Sequence, residues 1–110
     1  MDRLEHYRES IKKFLKQYAD SNQNSDISVQ LVFDTENDHY LLLDIGWQNS
    51  RRVHDCIFHF DIIDGKIWLQ ENNTDLEIDS YLEEMGISPK EIVVGFHPPY
   101  VRRYSDYAVS

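Results

Sequence analysis

The sequence is poor in cysteine, glycine and proline: its 110 residues include one cysteine, four glycines and three prolines. A single thiol cannot form an internal disulfide or a multi-thiolate metal site. So little glycine and proline argues against long flexible or low-complexity segments. These shortages exclude a disulfide-stabilised scaffold and predict one folded domain over residues 1–110, since a chain of this length supports a single core.

Long apolar runs are also missing. The longest extends from Tyr40 to Leu43, far below the roughly 20 residues that a transmembrane helix needs. The opening residues MDRLEHYRES lack the apolar stretch of a signal peptide. We therefore expect a cytoplasmic protein that does not cross a membrane.

Positive charge is scarce in the middle of the chain. The formal net charge is −9, and residues 26–84 contain fourteen acidic residues but only three cations. Such a surface repels nucleic-acid phosphates and lacks the clustered lysine and arginine that counterion release requires. Direct DNA binding is therefore disfavoured. The basic residues that could still support it are Arg8, Lys12 and Lys16 on one predicted helix face, and Arg51, Arg52, Arg102 and Arg103.

Common catalytic motifs are absent: there is no nucleophile elbow, glycine-rich phosphate loop or zinc-protease helix. The segment His54-x-Cys56-x-x-His59-x-Asp61 offers metal-ligand types. A regular strand, however, places His54 and Cys56 on the face of Phe58, and the other two on the opposite face. We therefore predict no metal ion, no cofactor and no catalytic residue.

A hydrolase or nuclease built on Asp44, Asp61 and His59 is kept as an alternative. The segment Asp64-Gly65-Lys66 matches the end of a restriction-type nuclease motif. That chemistry needs its carboxylate and lysine on rigid strand positions, whereas Asp-Gly is a strong signal for a hairpin turn. The turn is the favoured interpretation.

The N-terminal part is predicted to form a helix. Asp2 suits the N-cap position, and Glu5 completes a capping-box pattern. Apolar residues then recur at a spacing of three to four, which indicates one buried stripe. They are Leu4, Tyr7, Ile11, Phe14, Leu15 and Tyr18.

From residue 27 the hydrophobic period changes to two, which predicts an antiparallel meander. Strands are expected over residues 27–33, 39–47 and 52–62, and a fourth follows the Asp64-Gly65 turn. This turn pairs opposed residues on the same face of the sheet. The expected pairs are Ile63 with Lys66, Ile62 with Ile67, Asp61 with Trp68 and Phe60 with Leu69.

A second helix is predicted between a capping-box pattern at Thr74 and Glu77 and a C-terminal stop at Gly86. Residues 88–91 are expected to form one helical turn, followed by extended chain. The sequence therefore predicts an α+β fold with an N-terminal helix, a four-stranded antiparallel meander sheet, a C-terminal helix and a docked extended tail.

One face of the sheet is expected to be apolar and to need a cover, because it carries Trp68 and Ile63 and is expected to include Tyr40 and Leu42. The chain's own tyrosine-rich tail or a partner could cover it. Tyrosine and arginine are frequent interface anchors. The predicted partner-binding residues are Trp68, Ile63, Tyr100, Arg102, Arg103 and Tyr104.

Four segments are more specific than any short motif: LEHYRESI, FDTENDHYLLLDIGW, DGKIWLQ and IVVGFHPPYVRRYSDYAVS. In wording and order they resemble the XisI family, the fdxN-element excision controlling factor proteins. The resemblance runs from the first predicted helix to the last residue. The segments Gln48-Asn49-Ser50 and Asn72-Asn73-Thr74 differ from the family wording, and both lie at predicted turns, where changes are best tolerated.

The resemblance implies an XisI-like fold without catalytic residues and a cyanobacterial accessory protein. Such a protein acts with an XisH-type partner so that a site-specific recombinase can excise a DNA element. We therefore expect a non-enzymatic regulator that works through protein–protein contacts, with a homodimer as a further assembly to consider. The alternatives are a direct DNA-binding accessory factor of recombination and the metal-dependent hydrolase or nuclease named above.

Overall fold

A computed structural model describes residues 2–102, without the side chain of Val101, and residues 107–108. The chain order is α1 (Arg3–Ser21), β1 (Ile27–Asp34), β2 (His39–Gln48), β3 (Arg51–Ile63), β4 (Lys66–Asn72), α2 (Ile78–Glu83), a 3₁₀ turn (Pro89–Glu91), β5 (Ile92–Val94) and α3 (Pro99–Arg102). The strands form one sheet in the order β1-β2-β3-β4-β5. The predicted α+β class and N-terminal helix are confirmed.

Helix α1 begins as its sequence indicates. The Asp2 carboxylate accepts a hydrogen bond from the Glu5 backbone N–H at 2.8 Å, which satisfies one of the unpaired donors of the first turn. The predicted apolar stripe is buried, with Tyr7, Ile11 and Leu15 fully inaccessible to solvent. These side chains pack against the sheet and form the core with the inward residues of the strands. The inward strand residues of that core are Tyr40, Leu42, Phe58, Phe60, Ile67 and Leu69.

The hairpin between β3 and β4 has the predicted register, and all four expected pairs are present. Asp64 and Gly65 both have positive φ, 50° and 76°. Two positive φ values at the central positions are characteristic of a type I′ turn, whose twist matches that of antiparallel strands.

The sheet has five strands rather than the predicted four, and it is mixed rather than antiparallel. Strand β5 pairs with β4 in parallel, with Ile92 opposite Ile67 and Val94 opposite Leu69. Its three residues are buried, as expected of a β-branched run in a parallel pair. Ala108 lies beside this strand, and its N–H donates to the Ile92 carbonyl at 2.8 Å.

Helix α2 starts later than predicted. Its N-cap is Glu77, which makes no side-chain capping bond. The Thr74 hydroxyl instead accepts from the Leu76 N–H at 3.1 Å, and thereby holds the turn before the helix. The predicted C-terminal stop is confirmed, since Gly86 has a φ of 87° and the Ile87 N–H closes back to the Leu82 carbonyl at 3.0 Å.

A β-bulge in β3 corrects the predicted strand faces. Leu42 pairs with Phe58, whereas Leu43 pairs with Cys56, so Ile57 is an extra residue. The extra residue reverses the in–out alternation of side chains on the N-terminal side of the bulge. His54 and Cys56 therefore do not share the face of Phe58. No sequence pattern marked this bulge.

The placement of Tyr40 and Leu42 on the partner-facing side is also wrong. Both are fully buried in the core beneath α1, because the alternation of β2 directs them toward the helix. None of the described helices combines the length and apolar character that a bilayer crossing requires.

Candidate functional site

The candidate site is the face of the sheet that points away from α1, which we call the outer face. The strand registers place on it the residues that alternate with the core positions. Its side chains include Ser28, Gln30 and Val32 of β1, His39, Leu41, Leu43, Ile45 and Trp47 of β2, Arg52, His54, Cys56, His59, Asp61 and Ile63 of β3, and Lys66, Trp68 and Gln70 of β4. The face therefore combines an apolar row along β2 with polar side chains on the other strands, and one polar cluster lies near the start of β2.

Several apolar side chains of the outer face are open to solvent. Trp47, Val32 and Ile63 are 55%, 46% and 39% exposed. The Arg52 guanidinium carbon lies 5.4 Å from the centroid of the Trp47 ring, a cation–π arrangement. Exposed groups of this size mark surfaces that contact other proteins. Val32 and Trp47 are not among the predicted contact residues, although the alternation of β2 places Trp47 on the same face as Leu41.

Trp68 lies on the outer face as expected, half-buried beneath Arg102. The Arg102 guanidinium carbon is 5.1 Å from the centroid of the indole ring. Its Nε donates to the His97 carbonyl at 3.0 Å, and its Nη2 donates to the Gly95 carbonyl at 3.4 Å. The segment that follows β5 therefore folds over Trp68, so at this position the chain supplies part of the cover itself.

The remaining predicted contact residues fall into two groups. Ile63 ends β3 beside the hairpin turn, and Tyr100 lies in α3 with 64% exposure. Arg103 and Tyr104 lie outside the described residues. The structure therefore brings Trp68 and Arg102 together and presents Ile63 and Tyr100 to solvent.

The polar cluster of the outer face consists of His39, His59 and Asp61. One ring nitrogen of each histidine lies 2.7 Å from the same Asp61 oxygen, Oδ1. The Gln70 side-chain amide donates to the other oxygen, Oδ2, at 3.2 Å. Hydrogen bonding to Asp61 raises the pKa of His39, and nearby Asp34 and Asp38 also raise it. The sequence pattern over residues 54–61 does not indicate His39, which completes this cluster from β2.

The set proposed for a hydrolase is not assembled. Asp44 pairs with Asp55 across β2 and β3 and points toward α1 rather than toward Asp61. Burial and the Asp55 charge raise the pKa of Asp44. Burial, followed by the Asp44 charge, raises the pKa of Tyr18 on α1. The alternation of β2 therefore separates Asp44 from His59 and Asp61.

The basic face of α1 is largely paired within the chain. The Arg8 Nε lies 2.8 Å from Asp38 Oδ1, and the Lys12 Nζ lies 3.3 Å from Glu9 Oε1. These carboxylates neutralise two of the three α1 cations that the DNA-binding alternative could use, beside its four other arginines. The positive surface of α1 is correspondingly weaker than its sequence indicates.

A groove of about 730 Å³ separates the end of α1 from the segment before α2. Phe14, Tyr18, Leu76 and Tyr81 provide its apolar lining. Among the described residues of this groove, no histidine, cysteine or arginine supplies a reactive or charge-binding group. The groove combines this apolar lining with polar side chains, among them the carboxylates of Asp20 and Asp75.

These features define a small α+β protein whose single sheet has one helix-packed face and one accessible face. The family model described as XisI protein matches residues 1–109, so the chain belongs to the XisI family. The predicted family resemblance is thereby confirmed.

Two solved structures from Anabaena variabilis ATCC 29413 are similar to this chain over its whole length. An XisI-like protein is 44% identical, with a TM-score of 0.90, and the match covers 99% of this chain and 100% of that one. The fdxN element excision controlling factor XisI is 37% identical, with a TM-score of 0.86 and the same coverage of both chains. No curated protein matches the chain.

Proposed function

We propose that this protein is a non-enzymatic excision controlling factor that acts through protein–protein contacts in the cytoplasm. The observation that carries the proposal is the 37% identity over 99% of the chain to the fdxN element excision controlling factor XisI. The outer face is consistent with it, because Val32, Trp47 and Ile63 expose apolar side chains there. Such a surface is suited to binding a partner protein.

The proposed partner is an XisH-type protein, and the proposed contact surface is centred on Ile63, Trp68 and Tyr100. Ile63 and Tyr100 supply exposed apolar area, while Arg102 holds Trp68 in place from above. Large aromatic and aliphatic side chains held in position lose little entropy when a partner buries them. Val32 and Trp47 are further exposed apolar side chains on the same face, with Val32 on β1 and Trp47 near the opposite end of β2.

A co-purification experiment tests the partner. An XisH-type protein encoded beside this chain, co-expressed with a tag on one component, is expected to co-purify at micromolar concentrations as a defined complex. Tyr100→Ala and Ile63→Asp are expected to weaken the complex at least tenfold, about 1.4 kcal/mol or more. Tyr81→Ala is the matched control, because Tyr81 is an exposed tyrosine on α2, which packs on the opposite side of the sheet.

Two results would count against the proposal. Failure of the folded proteins to co-purify removes the partner assignment. A complex that is weakened equally by Tyr81→Ala and Tyr100→Ala moves the contact away from the outer face. Light scattering of the chain alone, before and after Ile63→Asp, determines whether a second copy competes for the same surface.

The excision role needs a separate measurement. Deleting the gene for this protein is expected to lower the yield of the excised DNA junction, with the recombinase and the XisH-type protein still present. An unchanged yield would show that this member of the family has another regulatory target, even if the complex forms.

A further inference from the structure

The cluster of His39, His59 and Asp61 has a geometry that protein–protein recognition does not require. His39 and Asp61 are directly opposed in the β2–β3 register, and His59 precedes Asp61 by two residues on the same face. Their ligating atoms all lie within 4.8 Å of one another. Paired strands hold all three backbones, so the side chains converge from rigid positions.

Asp61 is an unusual residue for this position, because it is only 7% exposed. A buried carboxylate is costly unless an opposite charge and hydrogen bonds compensate it. Among the described residues, no lysine or arginine forms an ion pair with Asp61, and its partners are the two imidazoles and the Gln70 amide. The buried Asp61 carboxylate therefore faces only two imidazoles and an amide, and a bound cation would neutralise its charge.

We propose that His39, His59 and Asp61 bind a divalent transition-metal ion of the Zn²⁺ class. Two imidazole nitrogens and one carboxylate oxygen suit Zn²⁺ and its neighbours in the first transition row, whereas Mg²⁺ and Ca²⁺ prefer oxygen ligands alone. Bound ligand atoms at about 2.1 Å from the ion lie roughly 3.3 Å apart. The present 2.7 Å separations of each imidazole nitrogen from Asp61 Oδ1 would open by about half an ångström around the ion, and all three ligand atoms already lie within 4.8 Å of one another.

The surroundings resemble a supported metal site. Gln70 holds the second Asp61 oxygen at 3.2 Å, as outer-shell groups orient metal ligands. The side chain of His39 is 50% exposed, which provides an entry path and leaves coordination positions that face solvent. Bound there, the ion would link β2 to β3 and neutralise Asp61.

Metal titration of the full chain tests the proposal. Protein freed of metal by a chelator is expected to bind one Zn²⁺ per chain in calorimetry, and its melting temperature is expected to rise with Zn²⁺ concentration, since a ligand of the folded state stabilises it. Co²⁺ should give the visible absorption of a low-coordinate site. Mg²⁺ and Ca²⁺ should give neither binding heat in calorimetry nor a rise in melting temperature.

Variants identify the ligands. His39→Ala is expected to weaken Zn²⁺ binding at least about tenfold, and it leaves the fold intact because the side chain is half exposed. Asp61→Asn should do the same, with circular dichroism as the check that it folds. His54→Ala is the matched control, because His54 is an exposed histidine on β3, the strand of His59 and Asp61. This variant should leave Zn²⁺ binding unchanged.

The proposal is overturned if Zn²⁺ produces neither heat nor a melting shift, or if His54→Ala lowers affinity as much as His39→Ala. Equal competition by Mg²⁺ or Ca²⁺ would show general attraction to an acidic surface and would also overturn it. Should Asp61→Asn not fold, the comparison of His39→Ala with His54→Ala decides. None of these outcomes bears on the proposed protein partner.

Discussion

At the residue scale, the contact between Tyr7 and Glu91 joins the first helix to the 3₁₀ turn that precedes β5. The Tyr7 hydroxyl donates to Glu91 Oε1 at 2.6 Å. Burial and this bond raise the pKa of Tyr7 to about 12. Burial raises the pKa of Glu91. The hydrogen bonds from the Tyr7 hydroxyl and the Ser88 N–H together lower this pKa by more than burial raises it, so the net shift is downward.

We predict that Tyr7→Phe lowers the free energy of unfolding at neutral pH by about 2 kcal/mol, because it removes a hydrogen bond to a charged group. The depressed pKa of Glu91 means that its stabilisation is present above its ordinary value of 4.5 and is lost as pH falls through the lower folded-state value. The variant should therefore lose less stability on acidification below 4.5 than the wild type. Urea unfolding across this pH range measures both effects, and parallel acid losses in the two proteins would contradict the prediction.

Phe58 is the centre of the aromatic core. It is fully buried, and its ring centroid lies 5.2 Å from that of Phe14 and 5.0 Å from that of Tyr18. Phe58→Ala should cost about 3–5 kcal/mol, the range for removing a buried ring and leaving a cavity. Phe96→Ala, at a phenylalanine that is 49% exposed, should cost about 0.5 kcal/mol. Chemical denaturation compares the two, and similar losses would show that the ring of Phe58 is not central to the core.

At the element scale, the β3–β4 hairpin shows a turn that depends on two residue identities. Gly65 has a φ of 76°, a conformation that costs other L-residues about 1–2 kcal/mol. An added Cβ at Gly65 would also approach the Arg3 guanidinium to 2.8 Å. The end of the flexible Arg3 side chain can move away, so the turn favours glycine mainly for its backbone conformation.

Gly65→Ala is predicted to lower the free energy of unfolding by about 1–2 kcal/mol. Asp64→Asn is the control, because asparagine tolerates positive φ and Asn-Gly suits the same turn type. Thermal unfolding should show a lower midpoint for Gly65→Ala and little change for Asp64→Asn. The opposite order would mean that the side chain of Asp64, rather than the backbone of Gly65, stabilises the turn.

At the scale of the whole molecule, the distribution of charge limits the partners of the isolated chain. The net charge is −9, and two cations of α1 are already paired with carboxylates. We predict no measurable binding of the isolated chain to duplex DNA even at low salt, since counterion release needs unpaired clustered cations. Fluorescence anisotropy with labelled DNA checks this. Salt-sensitive binding that is lost in Arg51→Ala/Arg52→Ala would revive the DNA-binding alternative.

Local chemistry accounts for the elements that were predicted correctly. The α1 cap at Asp2, the Asp64-Gly65 turn and the stop at Gly86 each depend on neighbouring residues in the chain. Family membership was equally accessible, because long segments carry it. The sequence by itself therefore determined the fold class, the hairpin register and the XisI family of this protein.

Contacts between distant segments decided the rest. The bulge at Ile57 appears only when β3 pairs with β2, and β5 becomes a strand only because the edge of β4 receives it. The cluster at Asp61 likewise needs His39 from another strand. Strand pairing brings such groups together across many residues of chain, and a one-residue shift in register moves a side chain to the opposite face, so only the tertiary structure determined the composition of the outer face.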